Sequence, residues 1–505
     1  MNLADLVRDA AARAADKPAL LHAGRRLTWG ELDRAVDGAA AGLQGLGLTP
    51  GDRVALVLTN TPDFPVVYFG ALRAGLVAVP VNTTYTAPEV DHVLSDSGAR
   101  AVIGHAAATS VLDGLRARVP AVEHVVQAGS RTAAGVVPLD ALLQAAPAAP
   151  VAAPGDESLA ALIYTSGTSG RPRGAMLSHR ALLANLDQCS QIDPPVVADD
   201  DVVLLVLPLF HIYGLNAGLG MVAKHAATGV LAERFDPVET LELMKREHVS
   251  NVIGAPPMYV AWSMLPDVED AFTSVRLAVS GAAPLPAEVL ARVRDATGRH
   301  VFEGYGLTET APVLTTTLMS EAAKPDSIGR PIPGVELKLL DESGDETDDD
   351  DPGEIVVRGA NLFSGYWPDG VGGPDPDGWW HTGDVAFADD DGDLHLVDRR
   401  RELILVSGFN VYPREVEDVL LRHPGVAEVA VIGIAHPYTG ESVKAFVVPS
   451  DGAQLTTDEL IAHAAQSLAR FKCPTAIEFV TELPHSATGK VSKGRMREAA
   501  GQAER

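Results

Sequence analysis

Cysteine is almost missing from this chain: Cys189 and Cys473 are its only two in 505 residues. They stand far apart with no partners at metal-ligand spacing, which excludes a disulfide framework and a thiolate zinc site and leaves both as packing residues. Long apolar runs are lacking too. No uninterrupted stretch approaches the ~20 residues that cross a bilayer, so no transmembrane segment is expected. The N-terminal MNLADLVRDAAARAADKPAL carries Asp5 and Asp9 among apolar residues at helical spacing. That is unlike the basic-then-apolar layout of a secretory signal, and a cytoplasmic protein is expected. Positive charge is scarce: 40 basic residues face 67 acidic ones, for a formal charge of -27. Such a surface repels nucleic acid and anionic membrane, and no basic run offsets it. An anionic substrate must therefore meet cations and backbone N–H groups gathered locally.

What is present is the balance of a globular protein, 46% hydrophobic and 21% charged. The length exceeds what one growing core supports, so two to four structural units are expected. From about residue 50 to 300, β-branched runs (RVALVL, LVAVPV, ARAVIG, VVLLVLPLF, VSNVIGA, VRLAVSG) alternate with Ala/Leu-rich segments of helical period. This is the pattern of parallel strands covered by helices, an α/β fold. Between about 330 and 400, RPIPGVELKLLD, GEIVVRG and DGDLHLVDR read as strands separated by Gly, Pro and Asp turns. Residues 341–351, DESGDETDDDD, hold eight acidic side chains in eleven and read as a solvated turn rather than a metal site. After Arg401 about a hundred residues of mixed α+β form a plausible separate domain.

The strongest chemical signal is Leu162-Ile-Tyr-Thr-Ser-Gly-Thr-Ser-Gly-Arg-Pro-Arg-Gly174. An apolar strand runs into hydroxyls (Thr165, Ser166, Thr168, Ser169) interleaved with Gly167 and Gly170, followed by Arg171 and Arg173. Glycines let N–H groups converge, and hydroxyls and arginines add donors and charge, which makes a phosphate cradle. It is not the common GxxxxGK[ST] loop. As an isolated string, a Ser/Gly-rich surface turn remains open.

This string resembles the signature of the adenylate-forming superfamily, which includes acyl-CoA synthetases, 4-coumarate:CoA ligases, firefly luciferase and peptide-synthetase adenylation domains. Further motifs follow in the family's order: PLFHIYG at Pro208, SGAAPL at Ser280, EGYGLTET at Glu303, GRPIPG at Gly329, DGWWHTGD at Asp377, VDRRRELILVSGFNVYP at Val397 and PHSATGK at Pro484. The resemblance covers nearly the whole chain. It implies a large N-terminal adenylation domain over 1–397, with two α/β units and a β subdomain at about 328–397. A hinge at 398–401 and a smaller mobile α+β domain over 402–505 would follow.

The resemblance also assigns roles. Lys490 is the expected catalytic cation, with Glu309 and Thr165 holding Mg²⁺ through hard oxygen atoms. Nucleotide contacts fall to Thr165, Ser166, Gly167, Thr168, Ser169, Gly170, Arg173, Glu303, Gly304, Gly306 and Thr308. Tyr305 would stack on adenine against Gly281, Ala282 and Ala283, and Asp384 would accept the ribose hydroxyls beside Arg399. Ser407 and Gly408 would line the pantetheine tunnel. The acid is expected near His211, Tyr213 and Gly304. His211 and Tyr213 alternate with Ile212, so one face would offer an aromatic wall with a polar tip, and a packed aromatic pair is the alternative. Each of these residues also has an ordinary reading when taken alone: a cap for Glu309, a turn for Asp384, a hairpin glycine for Gly408, a solvated lysine for Lys490.

The implied activity is ATP-dependent ligation of a carboxylic acid to coenzyme A in two steps through an acyl-adenylate. Malonate-activating relatives carry arginine where this chain has Gly304, so a neutral-tailed fatty or aryl monocarboxylic acid is expected. Three departures are visible: Arg173 and Arg401 replace common lysines, Leu405 replaces a lysine of the plant coumarate ligases, and PDGVGGPDPDG is unusually short and Gly/Pro-rich. Delivery to the phosphopantetheine of an acyl carrier protein and, less favoured, a luciferase-like oxygenase remain as rivals. Partners beyond the small acid would be that carrier protein or a second copy in a homodimer, not nucleic acid.

Overall fold

The computed structural model describes residues 1–105, 114–129, 136–144, 155, 157–165, 172–320, 324–341, 343–347, 351–399, 404–406, 409–411, 413–436, 440–468, 470, 472–485 and 491–497. The chain divides into two compact units, Met1–Glu336 with Arg358–Trp380, and Leu337–Val357 with His381–Arg505.

Two large sheets form the first unit. One has seven strands in the order Val137–Pro138, His124–Ala128, Ala101–His105, Arg53–Val57, Val77–Pro80, Leu159–Thr165, Arg173–Ser178. All pairings are parallel except the last, a hairpin. The other has nine strands, in the order Arg330–Pro331, Val313–Thr316, Val301–Gly306, Leu277–Gly281, Asn251–Gly254, Val202–Leu205, Thr228–Leu231, Pro18–His22, Arg25–Thr28. Its centre is parallel and both edges are antiparallel. The β-branched runs seen in the sequence are these strands, buried on both faces under helices as parallel sheets require. VVLLVLPLF contributes a shorter strand than its length suggests, ending at Leu205.

Helices start where the side chains can satisfy free N–H groups. Thr28 and Glu31 form a reciprocal capping box at the head of Trp29–Gly45. Asp236 accepts from Val238 and Glu239 at the head of Pro237–Glu247. Trp262, Tyr259 and Phe272, all fully buried, anchor the core beneath the nine-stranded sheet, with edge-to-face ring contacts of 5.6 and 6.0 Å.

The second unit draws on a four-stranded sheet (Val335–Leu340, Gly353–Gly359, Trp379–Ala388, Leu394–Arg399) and on a five-stranded one. In the latter, Val426–His436 and Gly440–Pro449 form a long hairpin under the helices Pro413–Leu421 and Thr457–Ala464. In the acidic turn, Asp341 Oδ1 accepts from Ser343 and Asp345 N–H, so this carboxylate stabilises the turn itself. Cys189 and Cys473 are both buried; burial pushes the Cys189 thiol up to about 12, which removes it as a nucleophile.

Candidate functional site

The base of the phosphate loop is a strand pair. Leu159–Thr165 meets Arg173–Ser178 in antiparallel register, with Thr165 opposite Arg173. Ser166, Gly167, Thr168, Ser169 and Gly170 lie outside the described residues. One residue earlier, Tyr164 donates to Asp96 Oδ2 at 2.6 Å, and burial together with that carboxylate pushes its phenol well above the ordinary range.

Residues 363–367 lie along the outer edge of Arg173–Ser178. Ser364 N donates to Met176 O at 2.9 Å, Met176 N to Gly365 O at 3.0 Å and Trp367 N to Gly174 O at 2.8 Å. The added segment covers an edge that would otherwise expose unpaired backbone, and it brings Tyr366 to the site. The Arg173 guanidinium lies over the Tyr366 ring, 3.9 Å from its centre. Tyr366 Oη donates to Glu309 Oε1 at 2.6 Å, and Phe363 N donates to Glu309 O at 2.9 Å. Glu309 is 7% exposed, and no described residue hydrogen-bonds its Oε2.

The expected adenine side is built from two neighbouring strands. Leu277–Gly281 and Val301–Gly306 run parallel, with Ser280 opposite Glu303 and Gly281 opposite Gly304. Beyond Gly281, Ala282 adopts φ 74°, a left-handed conformation costly for a residue with a Cβ, and so turns the chain towards Ala283. Buried Glu303 braces this turn, its Oε2 accepting from Leu285 N at 3.0 Å. Tyr305 and Gly306 end the second strand. A Cβ on Gly306 would lie 1.8 Å from Pro312 O, so only glycine fits. Thr308 and Glu309 follow in the short turn Thr308–Thr310. One edge of the unit thus carries Gly281, Ala282, Ala283, Glu303, Gly304, Tyr305, Gly306, Thr308 and Glu309, and Tyr366 ties that edge to Arg173 and Thr165.

At the expected acyl wall the structure corrects one reading. Residues 211–213 do not alternate as a strand. Tyr213 opens a π-helical segment, Tyr213–Gly220, with Tyr213 N donating to His211 Nδ1 at 3.2 Å and Leu215 N to His211 O at 2.9 Å. Close packing explains the change: a Cβ on Gly214 would meet Pro208 O at 2.6 Å, and only a glycine lets the helix start there. Tyr213 nevertheless reaches the expected neighbourhood, because its ring lies where a Cβ on Gly281 would meet it at 2.9 Å. Among the described residues its buried hydroxyl has no hydrogen-bond partner, and burial pushes the phenol well above the ordinary range.

The remaining candidates belong to the second unit. Asp384, 6% exposed, receives a backbone position fixed by its own N–H donating to Thr382 Oγ1 at 3.1 Å, and it stands opposite Arg399 in the strand register. Ser407, Gly408 and Lys490 lie outside the described residues. The ends of the segment that carries Lys490 are described. Ser492 N donates to Pro484 O at 2.7 Å, His485 and Val491 form an antiparallel bridge, and half-buried Lys493 pairs with Glu417 at 2.9 Å.

Thr165 and Glu309 offer hard oxygen donors, and the unbonded Oε2 of a buried carboxylate fits a magnesium ion that shares its remaining coordination with substrate oxygens and water. Among the described residues no three His, Cys, Asp or Glu side chains gather into a self-sufficient metal cage. Sequence reasoning missed two residues here, Tyr366 and the buried Asn60 that clamps the chain before His211. Both act through partners distant in sequence, and neither stands in one of the motifs the sequence reading quoted.

Comparison with known proteins gives a consistent result. The AMP-binding enzyme family matches residues 7–367, and the AMP-binding enzyme C-terminal domain matches residues 415–490. The long-chain-fatty-acid–CoA ligase of Escherichia coli O157:H7 is 37% identical over 535 residues, covering 99% of this chain and 94% of that protein. A feruloyl-CoA synthase of an Amycolatopsis species is 39% identical over 492 residues, covering 95% of each. Among solved structures, ATP-bound MatB from Rhodopseudomonas palustris superposes with a TM-score of 0.90 at 32% identity over 100% of both chains. No helix among the described residues is long and apolar enough to cross a membrane.

Proposed function

We propose, from the premise that this chain belongs to the adenylate-forming acyl-CoA synthetase superfamily and is an AMP-forming acid–thiol ligase, that its acid is a neutral-tailed fatty or aryl monocarboxylic acid. The observation that supports this choice is Gly304. It sits opposite Gly281, whose own Cβ would meet the Tyr213 ring, and a Cβ on Gly304 would meet only Thr315 O at 3.7 Å. The site therefore has room at the position where malonate-activating relatives carry an arginine, and no side chain there to neutralise a second carboxylate. The long-chain and feruloyl relatives point the same way.

In the first step the acid's carboxylate attacks the α-phosphorus of ATP and pyrophosphate departs, leaving acyl-AMP. In the second the thiol of coenzyme A attacks the acyl carbonyl and AMP departs. Neither step needs an enzymic nucleophile, so the protein's contribution is positioning and charge neutralisation. Thr165 and Glu309 would hold Mg²⁺, which neutralises phosphate charge when bound. Arg173, with the loop 165–170, would hold the phosphates. Tyr305 and Gly281–Ala283 would take adenine, and Asp384 the ribose. Lys490 would bridge carboxylate and α-phosphate as charge shifts between them. Its later replacement by Ser407 and Gly408 through rotation at 398–401 would open the same carbonyl to the thiol.

An ATP–pyrophosphate exchange panel across aryl, short, medium and long monocarboxylic acids, with dicarboxylic acids included, tests this reading. Exchange with monocarboxylic acids and none with dicarboxylic ones is expected, with AMP as the nucleotide product. Accumulation of ADP, or a preference for dicarboxylic acids, would overturn it. Parallel loading of coenzyme A and a holo acyl carrier protein separates the two acceptors.

A further inference from the structure

The geometry points to Tyr366 as a positioning residue that sets the metal-binding carboxylate and the phosphate-side arginine at once. This rests on the reading above, in which Glu309 holds Mg²⁺ and Arg173 serves the phosphates. Tyr366 touches both. Its hydroxyl donates to Glu309 Oε1 at 2.6 Å, and the face of its ring carries the Arg173 guanidinium at 3.9 Å.

Its own placement is rigid. Tyr366 N donates to Val371 O at 3.1 Å and Tyr366 O accepts from Gly370 N at 2.8 Å, while Gly365 and Trp367 on either side bond to the strand Arg173–Ser178. Gly365 has φ 94°, and a Cβ there would lie 2.0 Å from Gly370 O. The ring also packs edge-on against Phe363, 5.1 Å away, which in turn contacts Trp380 at 5.2 Å. A phenol held this firmly leaves the carboxylate of Glu309 one orientation, with Oε1 occupied and Oε2 available.

A carboxylate bound through one oxygen by a fixed donor does not have to be ordered again when the ion arrives, which is how outer partners of metal ligands raise affinity. The same ring holds the guanidinium of Arg173, whose backbone faces Thr165 across the strand pair. Tyr366 thereby couples two elements that the motifs treat separately, the base of the phosphate loop and the YGLTE turn. It does not touch the reacting atoms.

Two substitutions separate its functions. Tyr366→Phe removes the hydroxyl and keeps the ring, and Tyr366→Leu removes both. Mn²⁺ binding, followed by electron paramagnetic resonance with a non-hydrolysable ATP analogue and no acid, reads the metal site without turnover. Tyr366→Phe should weaken Mn²⁺ binding roughly tenfold and raise the Mg²⁺ needed for half-maximal pyrophosphate exchange by a similar factor, about the lower end for loss of such an outer contact. Saturating Mg²⁺ should restore its exchange rate. Tyr366→Leu should in addition raise the KM for ATP, and Tyr366→Phe should not. Wild-type Mn²⁺ binding in Tyr366→Phe overturns the proposal, and so does a lowered melting temperature with unchanged metal dependence, which would make the role merely structural. Glu309→Gln is the control: if it leaves Mn²⁺ binding intact, the assignment of Glu309 itself fails, whereas loss in Glu309→Gln with no effect in Tyr366→Phe sinks this inference alone.

Discussion

Asn60 and Leu209 are joined across 149 positions of sequence: Leu209 N donates to Asn60 Oδ1 at 3.0 Å. The same side chain donates from Nδ2 to Leu205 O at 3.1 Å and Leu207 O at 2.9 Å. One 3% exposed amide thus satisfies three backbone groups just before His211 and Tyr213.

Asn60→Leu takes the partner from Leu209 N and Leu207 O, while Leu205 O keeps its bond from Ala232 N at 3.2 Å. Such losses cost about 2–4 kcal/mol in total, since each unsatisfied group carries its desolvation penalty. Urea unfolding should show that drop. Because the clamped segment leads into the proposed acyl wall, the KM for the acid should rise more than the KM for ATP. Equal stability in variant and parent would show that the clamp is dispensable.

Gly281 and Gly304 face each other but differ in the space around them. A Cβ on Gly281 would come within 2.9 Å of the Tyr213 ring, whereas one on Gly304 meets only Thr315 O at 3.7 Å. Gly281→Ala must therefore displace Tyr213 and should raise the KM for bulky acids several-fold, by loss of about 1 kcal/mol of shape fit. Gly304→Ala should change little. Gly304→Arg places a cation at the proposed acyl site and should admit dicarboxylic acids that the parent is expected to exclude. The exchange panel reads all three variants, and an unchanged acid preference in Gly304→Arg would count against the proposed acyl site.

The strands of both large sheets were legible in the sequence because parallel strands buried on two faces read as runs of Val, Ile and Leu. The edge carrying Gly281 to Glu309 was singled out by the order of the family motifs, since each of its residues taken alone has an ordinary structural reading. Three residues, 211–213, could not distinguish alternation from a helical turn; what decides it is the approach of Gly214 to Pro208 O, a contact with no periodic signature. Tyr366 and Glu309 are 57 residues apart. Nothing in local spacing announces that a tyrosine before a Gly/Pro-rich stretch will find one particular carboxylate.

His179 supplies a pH dependence. It opens the helix His179–Cys189, is 2% exposed, and its Nδ1 accepts from Leu3 N at 3.1 Å. Burial, assisted by the charge of the N-terminus, lowers its pKa from 6.5 to about 4. Between those values the unfolded chain takes up a proton that the folded chain refuses, so stability falls as pH drops through that window. The difference is worth up to about 3 kcal/mol. Unfolding free energies measured from pH 7 to 5 should decline in the parent and be flatter in His179→Gln. Identical slopes would remove this histidine as the cause.

The ends of the segment that carries Lys490 are closed by the bond from Ser492 N to Pro484 O at 2.7 Å and by the Lys493–Glu417 pair at 2.9 Å. In the proposed mechanism Lys490 serves the step in which charge moves between carboxylate and α-phosphate, and not the thiol step. Lys490→Ala should lower pyrophosphate exchange by roughly 10²–10³, the usual effect of removing one charge-stabilising group. It should largely spare thioester formation from supplied acyl-AMP. Gly408→Leu should do the opposite, since a side chain in the proposed pantetheine tunnel obstructs the thiol and not the nucleotide. Measuring both half-reactions in both variants separates the roles: opposite losses support two alternating uses of one carbonyl site, and equal losses in all four measurements would rule out the rotation at 398–401.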